Sequence, residues 1–187
     1  LSLKRIVITG APGTGKTVVV EGIEAKGFHC FHEIIRSMTA KAKLEGTTKV
    51  PVSNPLAFVD DPFKFNQVLL NGRLAHFKEA NNLDVPFCFF DRGMPDVLAY
   101  MDYFDQAYGK KFTEICENNL YDVIFIMPPW EEIYVSDNER LETFAEAELL
   151  HEHLITSYKK YGYTPILVPK TTITERISFI LNELKLI

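Results

Sequence analysis

The sequence predicts an α/β protein of three layers, with a five-stranded parallel sheet between two layers of helices. Three observations carry this. The strand-like runs are apolar nearly throughout, as strands covered on both faces must be. They alternate with stretches of helical periodicity. The first of them runs straight into a glycine-rich turn over residues 10–17 that opens a helix.

The elements follow in order. Ile6-Val7-Ile8 is the heart of a buried strand over 3–9. A helix over 15–26 carries Val19, Val20, Ile23 and Ala25, and Gly27 stands just beyond it as its C′ residue. A strand over 28–32 leads into a helix over 32–45. Asp61 and Pro62 read as an N-cap and a first-turn proline for a helix over 62–80. Strand 86–91 is followed by helices 94–103 and 109–119, and strand 122–127 by a helix over 142–161. Thr143 lies early in that helix, with Glu146 and Glu148 near its positive end. Strand 164–168 and helix 172–185 close the chain.

Residues 1–187 read as a single domain, long enough for a substantial core and free of repeats and low-complexity tracts. The stretch 46–61 reads as a mobile loop, within an acceptor-side insertion over about 46–80. An ordinary surface loop is the plainer reading.

The chain is 47% hydrophobic and 24% charged, as in ordinary globular proteins. A net charge of −5 argues against nucleic acid and against a polybasic membrane surface as partners. No apolar run reaches the ~20 residues of a membrane span, and none resembles a signal-peptide core. A cytoplasmic protein without membrane insertion is expected. Cys30, Cys88 and Cys116 have no paired spacing, and the first two fall in apolar runs, which suits buried thiols in a reducing compartment. Neither His151/His153 nor His29/His32 has the spacing or partners of a zinc site.

Gly10-Ala11-Pro12-Gly13-Thr14-Gly15-Lys16-Thr17 fits G-x-x-x-x-G-K-[ST], the phosphate-binding P-loop. Its glycines allow positive φ and bring backbone N–H groups close to phosphate oxygens. Lys16 is placed to reach the terminal phosphates, and the Thr17 hydroxyl to ligate Mg²⁺.

Ligands of a parallel sheet bind beyond the carboxyl ends of its strands. Strand 86–91 ends there in Asp91-Arg92-Gly93. Asp91 can hold Mg²⁺, and Arg92 can neutralise a transferring phosphoryl group. A strand-terminal salt bridge is the plainer reading of that pair. No acidic Asp-Glu pair of a water-activating ATPase follows a strand, and no N-K-x-D guanine motif occurs. ATP is therefore the expected co-substrate, with GTP possible. Glu33 ends the second strand, where it can orient an acceptor hydroxyl and take its proton. An i,i+3 ion pair with Arg36 is the alternative. Arg36, Gln67 and Arg92 join Glu33 as acceptor-side candidates, and Arg73 could line the same pocket. Phe58 and Phe63 could stack on a planar group, though at helical spacing such rings are more often core. The polar stretch over about 129–141 reads as a lid, with Arg140 a transition-state cation or half of a surface ion pair. The loop at Val168-Pro169-Lys170-Thr171 would frame the nucleobase.

With these residues assembled, the chain resembles small P-loop proteins of the AAA-type ATPase-like or NadR/TTD-type group. It also resembles the wider nucleoside and nucleotide kinases, including the ribosylnicotinamide kinase domain. The likeness runs along nearly the whole chain. It rests on Gly10–Thr17, Glu33-x-x-Arg36, Asp91-Arg92-Gly93 and the Asp137–Arg140 segment. It implies a three-layer P-loop NTPase fold of strand order 2-3-1-4-5, bound ATP or GTP with Mg²⁺, and in kinase members phosphoryl transfer to a small hydroxyl acceptor. By this likeness Lys16 and Thr17 serve phosphate and metal, Asp91 the metal, Arg92 and Arg140 the transferred phosphate, and Glu33 the acceptor. Nucleotide kinases often carry several lid arginines; here the lid has only Arg140. That favours an uncharged acceptor such as a nucleoside. The alternatives are a nucleotide-binding regulator and a simple ATPase.

Overall fold

Strand β1 (Lys4–Gly10) is the middle strand of a five-stranded, all-parallel sheet. The computed structural model describes residues 2–35, 61–134 and 143–187. The other strands are β2 (His29–Phe31), β3 (Phe87–Asp91), β4 (Val123–Met127) and β5 (Ile166–Leu167), in the order β2-β3-β1-β4-β5. This is the expected arrangement. Ile8 pairs with Asp91 and Gly10 with Met127, so β1, β3 and β4 deliver their last residues to one edge.

The alternation of β1 decides which helices cover which face. Val7 points to one face, with Phe31, Cys88, Phe90 and Ile124. That face is covered by α2 (Pro62–Glu79), α3 (Met94–Tyr103), α4 (Lys110–Asn118) and α5 (Phe144–Lys160). Ile6 and Ile8 point to the other, with Phe89 and Phe125. There α1 (Lys16–Glu24) and α6 (Ile173–Glu183) pack through Val19, Val20, Ile23, Ile177, Ile180 and Leu181. Ile6, Val7 and Ile8 are all fully buried, which is why that run shows no polar alternation.

Local signals act as the sequence predicts. The Asp61 carboxylate accepts from the Lys64 N–H at 2.9 Å, and Pro62 takes the first helical position. Thr143 is the N-cap of α5 rather than a residue inside it: its hydroxyl accepts from the Glu146 N–H, and the Glu146 carboxylate accepts from the Thr143 N–H. β5 is shorter than the expected 164–168, because Pro165 and Pro169 flank it and bring no N–H to the ladder. The Val168 N–H still donates to the Ile126 carbonyl at 2.9 Å. Of the helix expected over 32–45, only Ile34 and Ile35 lie within the described residues, and both are helical. The expected loop over 46–61 lies outside them except for Asp61. All three cysteines are buried free thiols, pushed up to about 12 by burial. Among the described residues no helix is long and apolar enough to cross a membrane.

Candidate active site

The phosphate loop is shaped by its glycines. Gly13 and Gly15 have φ of 77° and 80°, in the left-handed region that side chains avoid. Gly15 also begins α1, so the positive end of that helix faces the loop. Thr14 Oγ1 donates to the Ala11 carbonyl at 2.9 Å, and so does Lys16 Nζ. Lys16 is nearly buried, and burial lowers its amine to about 7. The positive charge of Arg92 adds to that effect, while Asp91, Asp96 and Glu33 oppose it. These five side chains therefore share one electrostatic site, although they come from separate parts of the chain.

The wall across from the loop is built on Glu33. Its Oε1 pairs with Arg73 Nη2 at 3.1 Å and its Oε2 with Arg92 Nε at 2.7 Å. Arg73 comes from α2, is 5% exposed, and also donates through Nη1 to the Gly93 carbonyl at 3.0 Å. Arg92 follows β3 with φ of 71°, strained for a residue with a side chain. That strain is held in place by Asp96. Its Oδ1 pairs with Arg92 Nη1 at 3.2 Å, and its Oδ2 accepts from the Gly93 N–H at 2.9 Å. The same fully buried carboxylate accepts from the Thr9 hydroxyl on β1 and the Tyr158 hydroxyl on α5, each at 2.5 Å. Burial alone would raise the Asp96 carboxyl. Arg92, Arg73 and the two hydroxyls outweigh it, and the group sits below its usual value. A carboxylate with this many donors is a fixed anion, and it fixes Arg92.

Asp91 ends β3 and is buried; Thr17 stands in the first turn of α1 and is half-buried. Both offer hard oxygen atoms of the kind Mg²⁺ takes. Among the described residues there is no cluster of three or more His, Cys, Asp or Glu suited to a metal. Mg²⁺ usually takes only one or two protein oxygens and fills its other positions with phosphates and water. On the outer side of the loop, Arg176 of α6 donates to the Thr14 carbonyl at 2.9 Å.

The profile of the AAA domain family matches residues 5–176. The chain belongs to the AAA domain family. No curated protein matches it. Solved structures share the fold of this family member. One is a deoxyadenosine kinase from M. mycoides with bound products, 20% identical, covering 98% of this chain and 100% of that one at a TM-score of 0.67. Another is a thymidylate kinase from Candida albicans, 16% identical, covering 97% and 91% at a TM-score of 0.67. A third is the NadR protein in complex with NAD and AMP-PNP, 13% identical, covering 96% of this chain and 49% of that one at 0.64. At these identities the likeness is one of fold.

In this AAA domain the structure brings together Gly10–Thr17, Glu33, Asp91 and Arg92. Glu33 is paired with Arg73 and Arg92; Arg36 lies outside the described residues, as does Arg140. Of the lid stretch, 129–134 is described, with a short 3₁₀ turn at Glu131–Ile133. Gln67 is half-buried on α2 and Pro169 is exposed beyond β5. Phe63 rests against Phe112 of α4, with ring centres 5.4 Å apart, and so belongs to a helix contact. Phe58 lies outside the described residues.

Asp96, Tyr158, Thr9 and Arg176 escaped the sequence reading. The available signals were slight: Asp96 stands i+4 from Arg92, and Arg176 lies in the first turn of the last helix.

Proposed function

We propose that this AAA domain is a kinase that transfers the γ-phosphoryl group of ATP to a hydroxyl of an uncharged small molecule such as a nucleoside. GTP is the alternative donor. The observation that carries the reading is Glu33, held between Arg73 and Arg92 at the strand edge, in electrostatic reach of Lys16. A carboxylate fixed there can orient an acceptor hydroxyl. The acceptor oxygen forms its bond to the γ-phosphorus as the bond to the β-bridging oxygen breaks. The leaving electron pair stays on ADP, and the hydroxyl proton passes to Glu33. Lys16 and Arg92 stabilise the charge on the transferred group, joined by Arg140 from the lid. The P-loop, with Pro169 beside it, holds the nucleotide, and Arg36 and Gln67 help to line the acceptor side. Thr17 and Asp91 would hold Mg²⁺, which when bound neutralises charge between the phosphates.

In this reading residues 1–187 work as one domain, with an acceptor-side insertion over about 46–80 and a lid over about 129–141. The paired state of Arg73 and Arg92 supports an uncharged acceptor, since both already face carboxylates.

The test is transfer of labelled γ-phosphate to a panel of nucleosides, sugars and vitamins, preceded by a thermal-shift screen with Mg²⁺ and a non-hydrolysable ATP analogue. Lys16→Ala should abolish transfer. Glu33→Gln should lower kcat by about a hundredfold or more while nucleotide affinity holds. Equal transfer by wild type and Glu33→Gln would remove Glu33 from the reaction. Steady hydrolysis without any acceptor would make the protein an ATPase, and tight binding without turnover a nucleotide-dependent regulator.

A further inference from the structure

Asp96 is the third residue of α3, where an acidic side chain closes a capping box with the N-cap N–H, here that of Gly93. A cap needs one such bond and ordinarily lies at the surface. Asp96 is fully buried, which an aspartate almost never is unless paired. It takes three further donors, and they come from three places. Thr9 is the residue before the phosphate loop, Arg92 precedes the N-cap, and Tyr158 lies near the end of α5. A second bond ties α5 to the same turn, from Ser157 Oγ to the Pro95 carbonyl at 2.8 Å. Glycine at 93 permits this approach: a Cβ there would stand 2.6 Å from the Tyr158 hydroxyl.

The effect falls on Arg92. Its Nε is held by Glu33 and its Nη1 by Asp96, and the Tyr100 ring centre lies 5.3 Å from its guanidinium carbon. A planar group gripped on two edges and covered by a ring has its plane set. The turn behind it is pinned as well, since the Gly93 N–H goes to Asp96 and the Gly93 carbonyl accepts from Arg73. Turning Arg92 away would strip a buried carboxylate of the cation bonded to it. Arg92 in turn sits 2.7 Å from Glu33 Oε2, so whatever moves Arg92 disturbs Glu33.

We propose that Asp96, steadied by Tyr158, is a positioning residue for phosphoryl transfer: it sets Arg92, and through Arg92 it sets Glu33. The role in transfer rests on the proposed function, whereas the hold on Arg92 is measured without any turnover.

Asp96→Asn keeps the shape and an acceptor oxygen but loses the anion that binds Arg92. It should lower kcat about thirtyfold and move the KM for ATP less than about twofold. If Asp96 acts through Arg92, adding Asp96→Asn to Arg92→Met should lower kcat no further, and should raise Tm by removing a buried charge left without its partner. Losses in kcat that multiply would overturn the proposal. The hold itself is read from the ¹⁵N signals of the guanidinium groups, with that of Arg92 identified by its absence in Arg92→Met. In the wild type its Nε–H should exchange slowly with water, and Asp96→Asn should speed the exchange at least tenfold. Unchanged exchange would overturn the proposal, and so would faster exchange with kcat intact. Should Asp96→Asn fail to fold, Tyr158→Phe keeps the ring and the charge; it should lower kcat about threefold and quicken the same exchange. Neither change in Tyr158→Phe would again overturn the proposal. If the wild type transfers phosphate to no acceptor, the kinase reading falls and the role in transfer falls with it, while the exchange of Arg92 still shows whether Asp96 holds it.

Discussion

On the acceptor side of the phosphate loop, Arg73 and Arg92 close on Glu33, and Arg92 also on Asp96. On the outer side, Arg176 closes on a carbonyl and an indole. The buried cation is the same, but its company differs. A guanidinium matched by a carboxylate has its position fixed before any ligand arrives. One matched by a neutral carbonyl keeps its charge for a ligand. The acceptor wall thus balances two guanidiniums with two carboxylates, while the Arg176 guanidinium meets no carboxylate among the described residues.

The comparison can be broken by removing one guanidinium from each side. Arg73→Met leaves the nearly buried Glu33 with half its partners and should cost about 3–5 kcal/mol in urea unfolding. Arg176→Met strands only the Thr14 carbonyl and should cost about 1–2 kcal/mol in the same measurement. Equal losses would show that the carboxylates do not set the difference.

A smaller effect is read in acid. The Asp96 carboxyl lies below its usual value in the folded chain, so the unfolded chain holds that proton more tightly. The stability this gives is complete above the unfolded value of about 4 and is lost as pH falls through the folded value. Asp96→Asn should be less stable at pH 7 and should lose less on acidification than wild type. A parallel fall of Tm with pH in both proteins would assign the acid sensitivity elsewhere.

The smallest effect is counted in protons. Lys16, at about 7 when folded, is largely neutral at pH 8, and bound phosphates should recharge it. Calorimetry in two buffers of different ionisation enthalpy should show uptake of somewhat under one proton per ATP at pH 8, shrinking as pH falls below the folded value. The uptake should vanish in Lys16→Met. Persisting uptake would mean that another group carries it.

What could be read in advance was local. The P-loop needs adjacent residues and a strand before it, and Gly10–Thr17 supplies both within one stretch. Asp61-Pro62 and the apolar strands are likewise short-range signals, and they place helices and sheet to within a few residues. Arg36, three positions from Glu33, lies outside the described residues, whereas Arg73, which pairs with Glu33, comes from 40 residues away and carries no local signal. Asp96 stands in a helix's first turn, where acidic residues are common, and only its burial makes it a hub. Tyr158 reaches it from 62 positions on, and Arg176 reaches Thr14 across 162.

The sequence by itself determined the elements, the layers and the phosphate loop, because periodicity, caps and glycines act over a few residues; the strand order was legible only through the family resemblance. Tertiary structure decided which charges meet. Strand order brings β2 beside β3, and so Glu33 to Arg92. Packing of α2, α5 and α6 then delivers Arg73, Tyr158 and Arg176 to a site where burial makes each pairing matter. Charge in low dielectric depends on distance in space, and separation along the chain carries no record of it.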